Sequence, residues 1–283
     1  MHADIFTLPL EIIKKMSIFK AILLTFLFIL IFSTFQIITL LPFKDFLSSN
    51  PDLAEHLFGI ITILGFLISY SIIFYFFWKP KLFDFKEETL KYLKPINFIY
   101  LFFIAFGLEL FDRVLFDLDK LKDFYFNEES LIDFPDYYAI NISNIYQAVS
   151  AILIAPIFEE LFFRKYILGK LLLRNSKIIA LITSSLCFSL IHIETPNNLL
   201  PTFIFGIISG FIFIETKKII YSILLHFFMN SFWLALLLYG ENYFNWIYQL
   251  NFNFIYWSLP LVGIILGSFG IYKITTANNA YHK

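Results

Sequence analysis

The chain has 283 residues, 59% of them hydrophobic and 15% charged, with a formal net charge of -1 and a mean hydropathy of +0.76. That is too apolar for a soluble domain, and with no Lys/Arg-rich stripe beside aromatic platforms the chain carries no nucleic-acid footprint. A single cysteine, Cys187, placed inside an apolar run, excludes an intrachain disulfide and any multi-cysteine metal site.

Eight apolar stretches approach the ~20 residues needed to cross about 30 Å of hydrocarbon. In chain order they cover 19–41, 57–78, 96–111, 145–168, 178–194, 199–215, 219–239 and 254–272. The first follows Lys14, Lys15 and Lys20 but is too long for a signal peptide and lacks a small-residue cleavage site, so it reads as a retained span. The third and sixth are short or carry polar interruptions. No internal repeat or Pro/Gly-rich linker divides the chain. The expectation is an all-α, polytopic membrane helical bundle of about eight transmembrane helices, forming one domain over 1–283.

Loop charges test that count independently, because Lys and Arg accumulate on the cytoplasmic side. With the N-terminus inside, sixteen basic residues fall on inside segments: those within 14–20, 79–94 and 165–177, together with Lys217, Lys218, Lys273 and Lys283. Only Lys44, Arg113, Lys120 and Lys122 fall outside, Arg164 being set aside as part of a motif. Both termini are therefore expected in the cytoplasm. The longest polar connection, 112–136, holds eight acids against three basic residues and is expected as an extracytoplasmic, solvated segment.

Within the fourth stretch Glu159 and Glu160 are followed by Arg164, and a charge at that depth costs about 2.5–3.5 kcal/mol on insertion scales. Successive helical residues lie about 100° apart, so the two acids cannot share a direction, whereas Glu160 and Arg164 stand one turn apart on one face. Glu160 and Arg164 can then neutralise each other, and Glu159 is left to face a polar cavity. A purely structural network of the three charges would satisfy the same spacing. The fifth stretch carries Phe188 and His192, and the seventh His226 and Asn230, each pair one turn apart. A lone histidine in a membrane helix usually serves as an interhelical hydrogen-bond donor. In combination, though, a carboxylate and an imidazole can deprotonate a water, and a second imidazole with a carboxamide can donate to a developing oxyanion. Those parts suffice to hydrolyse a peptide bond without a covalent intermediate. Glu159, His192 and His226 would equally serve as three ligands of a catalytic zinc with water in the fourth position, although no His-Glu-x-x-His signature is present and Asn230 is a poor zinc ligand. Both readings stand at this stage.

Glu-Glu-x-x-x-Arg, Phe-x-x-x-His and His-x-x-x-Asn, in this order on separate membrane helices, resemble the three motifs of the CAAX prenyl protease and bacteriocin-processing (CPBP, or Abi) family of intramembrane proteases. The motif-bearing part runs from about 145 to 240, and the span layout is similar to the core of the family's Ras-converting CAAX protease. The resemblance implies that Glu159 and His192 activate the hydrolytic water, that His226 and Asn230 form the oxyanion hole, and that Glu160, Arg164 and Phe188 support the site. It further implies a membrane-associated peptide or protein substrate, met in the bilayer of a prokaryotic cell membrane, with no obligatory cofactor or else a zinc ion. A catalytically silent scaffold or immunity factor of the same fold is the alternative. A transporter is disfavoured, since such folds show repeat symmetry and broken helices.

Overall fold

An apolar run in lipid can satisfy its backbone only within itself, and among the described residues the chain does so entirely with helices. The computed structural model describes residues 15–78, 95–127 and 142–279. Helix α1 is Ile18–Leu40, started by the Ser17 hydroxyl, which accepts from the Lys20 N–H. A short α2, Lys44–Ser48, leads to α3, Pro51–Ile73, which ends in a π-turn, Phe74–Trp78. The stretch begins six residues before the expected 57, because Pro51 takes the first helical position, where its missing N–H costs nothing.

Helix α4, Pro95–Phe116, runs five residues past the expected 111 and is followed by α5, Leu118–Lys122. The long helix α6 covers 142–172. Helix α7, Lys177–Leu190, is capped by Ser176 and stops four residues short of the expected 194. Helix α8, Leu199–Thr216, closes on Lys217 in the left-handed conformation at φ 59°. Then come α9, Ile219–Tyr239, α10, Glu241–Gln249, and α11, Phe254–Asn279.

Among the described residues, six helices are long and apolar enough to cross a membrane, and the chain is a multi-pass integral membrane protein. The two expected spans outside that set differ for physical reasons. Helix α4 carries Glu109, Asp112 and Arg113, and α7, with 14 residues at 1.5 Å each, is about 21 Å long. The whole basic cluster at 79–94, with Lys14, Lys283 and both termini, lies outside the described residues.

The described residues fall into two compact units, one drawn from Met1–Leu93 and Ile154–Ile223, the other from Lys94–Leu153 and Leu224–Lys283. In the first, α1 packs on α3 and α7 on α8. Rings dominate the seam around α1: Phe28 stands 4.4 Å from Tyr70 and 6.3 Å from Phe162, centroid to centroid. Helices α7 and α8 approach closely where Gly206 faces Ser185, a methyl group at Gly206 being only 3.0 Å from the serine Cβ.

In the second unit α4 packs along α11 through glycines, with the backbone of Gly107 against that of Gly263. Beyond that seam lies a buried ionic knot. Asp117, fully buried at the end of α4, accepts two hydrogen bonds from Arg113, at 2.9 and 3.1 Å, and one each from the Tyr248 and Tyr256 hydroxyls at 3.0 and 2.9 Å. The acidic connection therefore starts differently from expectation. Asp112 is a buried helical residue and Asp117 a buried turn residue between α4 and α5, drawn inward by four donors, so neither is part of a solvated loop. Glu128, Glu129, Asp133 and Asp136 lie outside the described residues.

Candidate active site

Helix α6 is regular only in pieces. Ile142–Ala148, Ala155–Glu160 and Gly169–Leu172 are α-helical, and between them Val149–Ile154 and Leu161–Leu168 widen into π-turns. Pro156 accounts for the first widening in part: it has no N–H to give to the carbonyl of Ile152, four residues earlier. Such turns inside helices recur at functional sites. Here the α-helical piece between them ends on Glu159 and Glu160.

The neighbouring acids have different surroundings, as their 100° separation requires. Glu160 is fully buried and forms an ion pair with Arg164, Nε to Oε2 at 3.1 Å. The Ser209 hydroxyl of α8 joins the same pair, donating to Glu160 Oε2 at 2.8 Å and accepting from Arg164 Nε at 3.3 Å. Ser222 in turn donates to the Ser209 carbonyl at 3.1 Å. The guanidinium lies over the Phe188 ring, 4.3 Å from its centroid, with Phe205 at 5.8 Å, so its flat face is covered by π-clouds. Glu159 is 3% exposed, and its Oε2 is buried without a hydrogen-bond partner. The Nη1 and Nη2 atoms of Arg164 are likewise buried without partners.

His192 stands just past the end of α7, in the turn that follows Leu190. Its Nδ1 is 3.1 Å from the Phe188 carbonyl oxygen, and its ring centroid is 5.2 Å from that of Phe188. Phe188 is thus the shared neighbour of the first two motifs, touching the arginine of one and the histidine of the other. Glu159, Glu160, Arg164, Phe188 and His192 all belong to the first unit. His226 and Asn230 belong to the second, one turn apart on α9. His226 is buried, and the Asn230 carboxamide donates to the Ala151 carbonyl, in the first π-turn of α6, at 2.7 Å. An amide nitrogen carries two protons, so this bond engages one of them.

Two neighbours of the acids escape a motif-based reading. Ser209 is an ordinary small residue of an apolar helix until its bonds to Glu160 and Arg164 are seen; the flanking Gly206 and Gly210 are the sequence signal of a close helix approach there. Tyr70, on α3, is fully buried within electrostatic reach of both acids, and nothing in its own surroundings in the sequence sets it apart from fifteen other tyrosines. Among the described residues no group of three or more His, Cys, Asp or Glu side chains is placed to hold a metal ion.

Residues 141–232 match the model of a family described as type II CAAX prenyl endopeptidase Rce1-like. All three motifs, from Glu159 to Asn230, lie inside the matched stretch, in keeping with the resemblance they carry in sequence. A stretch of 96 residues, 32% of this chain, is 34% identical to a Bacillus subtilis (strain 168) protein named "Putative membrane peptidase YdiL" and covers 39% of it. The chain thus matches about two fifths of that relative's length. No solved structure matches the chain.

Proposed function

We propose that this protein is an intramembrane endopeptidase that hydrolyses a peptide bond of a membrane-associated substrate with water activated by Glu159 and His192. The observation that carries this reading is the contrast between the adjacent acids. Glu160 is neutralised by Arg164 and Ser209, while Glu159, equally out of reach of solvent, keeps a carboxylate oxygen unpartnered. A buried carboxylate without a partner costs several kcal/mol and is retained where chemistry uses it. The Rce1-like match and the printed name of the bacterial relative both point to peptide hydrolysis.

In the proposed reaction Glu159 takes a proton from the water as its oxygen attacks the scissile carbonyl. His192, its Nδ1 directed at the Phe188 carbonyl, keeps Nε2 for that water. The negative charge that develops on the carbonyl oxygen accepts hydrogen bonds from His226 and from the second N–H of Asn230, roles that rest on the motif match. The proton then passes from Glu159 to the departing amine, so charge and atoms balance over the turnover. Glu160, Arg164, Ser209 and Phe188 hold the acid-bearing helix in rotation.

The test compares fragments of membrane proteins in cells carrying the wild-type chain or Glu159→Gln, followed by cleavage of the resulting candidates by purified protein in lipid vesicles. Fragments that vanish with Glu159→Gln and reappear in vitro are expected. Identical fragment sets and no cleavage by the wild-type protein would instead favour a silent scaffold.

A further inference from the structure

A tyrosine buried in the hydrocarbon region needs a partner for its hydroxyl, and the ring surroundings of Tyr70 offer none. Its ring is sheathed by Phe28 at 4.4 Å, Phe158 at 5.6 Å, Phe74 at 5.8 Å, Phe162 at 6.0 Å and Phe66 at 6.3 Å. The side chain is 0% exposed, and the hydroxyl is buried without a hydrogen-bond partner. The charged groups that act on it are Glu159 first and Glu160 second. Of these, Glu160 already gives Oε2 to Ser209 and Arg164, whereas Glu159 Oε2 has no partner. The unpartnered buried donors that act on Glu159 are thus the Tyr70 hydroxyl and the Nη atoms of Arg164, and only the phenol reaches it from another helix; leaving that donor and Glu159 Oε2 unsatisfied costs more than joining them.

We infer that Tyr70 is a positioning residue for Glu159: its phenolic O–H donates to Glu159 Oε2, directly or across one water, and holds the carboxylate so that Oε1 faces the hydrolytic water. The inference rests on the proposed function of Glu159, and it adds to the site a residue from α3, outside the Rce1-like stretch 141–232. A general base must stay within hydrogen-bond reach of its proton, and a carboxylate free to turn about its last torsion spends less time there.

The test uses the full chain in lipid vesicles and Tyr70→Phe, which keeps the aromatic sheath and removes only the hydroxyl. The expected result is an unchanged Tm, an unchanged KM and a kcat lowered about tenfold, with Tyr70→Phe adding no further loss in a Glu159→Asp background whose shortened acid no longer reaches the phenol. A second reading needs no turnover. The infrared carboxylate band identified by its loss in Glu159→Gln should shift in Tyr70→Phe, because a hydrogen bond to one carboxylate oxygen changes the frequencies of its C–O stretches. Full kcat in Tyr70→Phe, or a Glu159 band left in place, overturns the inference; so does a tenfold loss repeated in full on top of Glu159→Asp. Wild-type turnover by Glu159→Gln would instead sink the assignment of Glu159 as base, and the infrared band would still report whether the two side chains meet.

Discussion

The Ser209 hydroxyl stands between the two charges of the Glu160–Arg164 pair, donating to the carboxylate at 2.8 Å while accepting from the guanidinium Nε at 3.3 Å. A buried ion pair within one helix fixes only that helix's own turn. Through Ser209 the pair is tied to α8, so the rotation of α6 is set by a neighbour as well.

Ser209→Ala should therefore destabilise the protein by about 1.5–3 kcal/mol, the range for a hydrogen bond to a charged group, with Ser209→Thr keeping most of the loss away. Thermal unfolding of the purified protein in detergent measures both. An alanine variant as stable as wild type would show the serine to be a bystander.

Arg164→Ala leaves Glu160 buried and unpaired, and is expected to cost about 3–5 kcal/mol. Glu160→Gln combined with Arg164→Gln should recover part of that cost, since neither side chain then carries a charge. A double-mutant cycle on unfolding free energies reads the coupling, and strict additivity would show that the two do not interact.

How far was this legible without coordinates? The pairing of Glu160 with Arg164 follows from helical spacing alone, because four residues bring two side chains to one face whatever surrounds them. Six of the stretches marked by hydropathy are helices long and apolar enough to span, and the three motifs lie within the Rce1-like match. What the sequence hides is partnership between distant segments. Ser209 is 49 residues from Glu160, and Tyr70, inferred to position Glu159, is 89 from it; local periodicity carries no record of such distant neighbours. Helix ends escaped as well where local chemistry overrode hydropathy. Pro51 opens α3 early, and the four donors around Asp117 pull the start of an apparently solvated acidic segment into the second unit.

Asn230 has two tasks, donating to the Ala151 carbonyl and, in the proposed reaction, to the oxyanion. Asn230→Ala should lower kcat by about 10²–10³ and also cost about 1 kcal/mol of stability, and His226→Ala should lower kcat by a similar factor. An Asn230→Ala variant as stable as wild type in thermal unfolding would remove the structural share assigned to Asn230.

Asp117 accepts from Arg113, Tyr248 and Tyr256, and its removal strands the arginine. Asp117→Ala is expected to destabilise by about 3–5 kcal/mol and Tyr256→Phe by about 1.5–3 kcal/mol. Chemical denaturation checks the ranking; a larger loss from the tyrosine than from the aspartate would contradict it.

The α4–α11 seam makes a sharp contrast between glycines. A methyl at Gly107 would stand 2.5 Å from the Gly263 carbonyl oxygen, so Gly107→Ala should force the helices apart at about 1–3 kcal/mol. Gly267→Ala, with nothing within 4 Å of the added carbon, should be neutral or stabilise by up to about 1 kcal/mol through helix propensity. Reversal of that order in thermal unfolding would rule out the seam.

The widened turn at Leu161–Leu168 is the room that one surplus residue takes in an otherwise α-helical path. Removing one residue there, Arg164 spared, would let the segment rewind at 3.6 residues per turn while the helix beyond it keeps its facing. Tyr166, whose hydroxyl now donates to the Phe77 carbonyl at 3.0 Å, lies inside the segment and would shift. The same deletion in the regular helix α8 would swing all that follows by about 100° around the axis, so along this chain a one-residue loss is tolerated better in the widened turn than in an ordinary one.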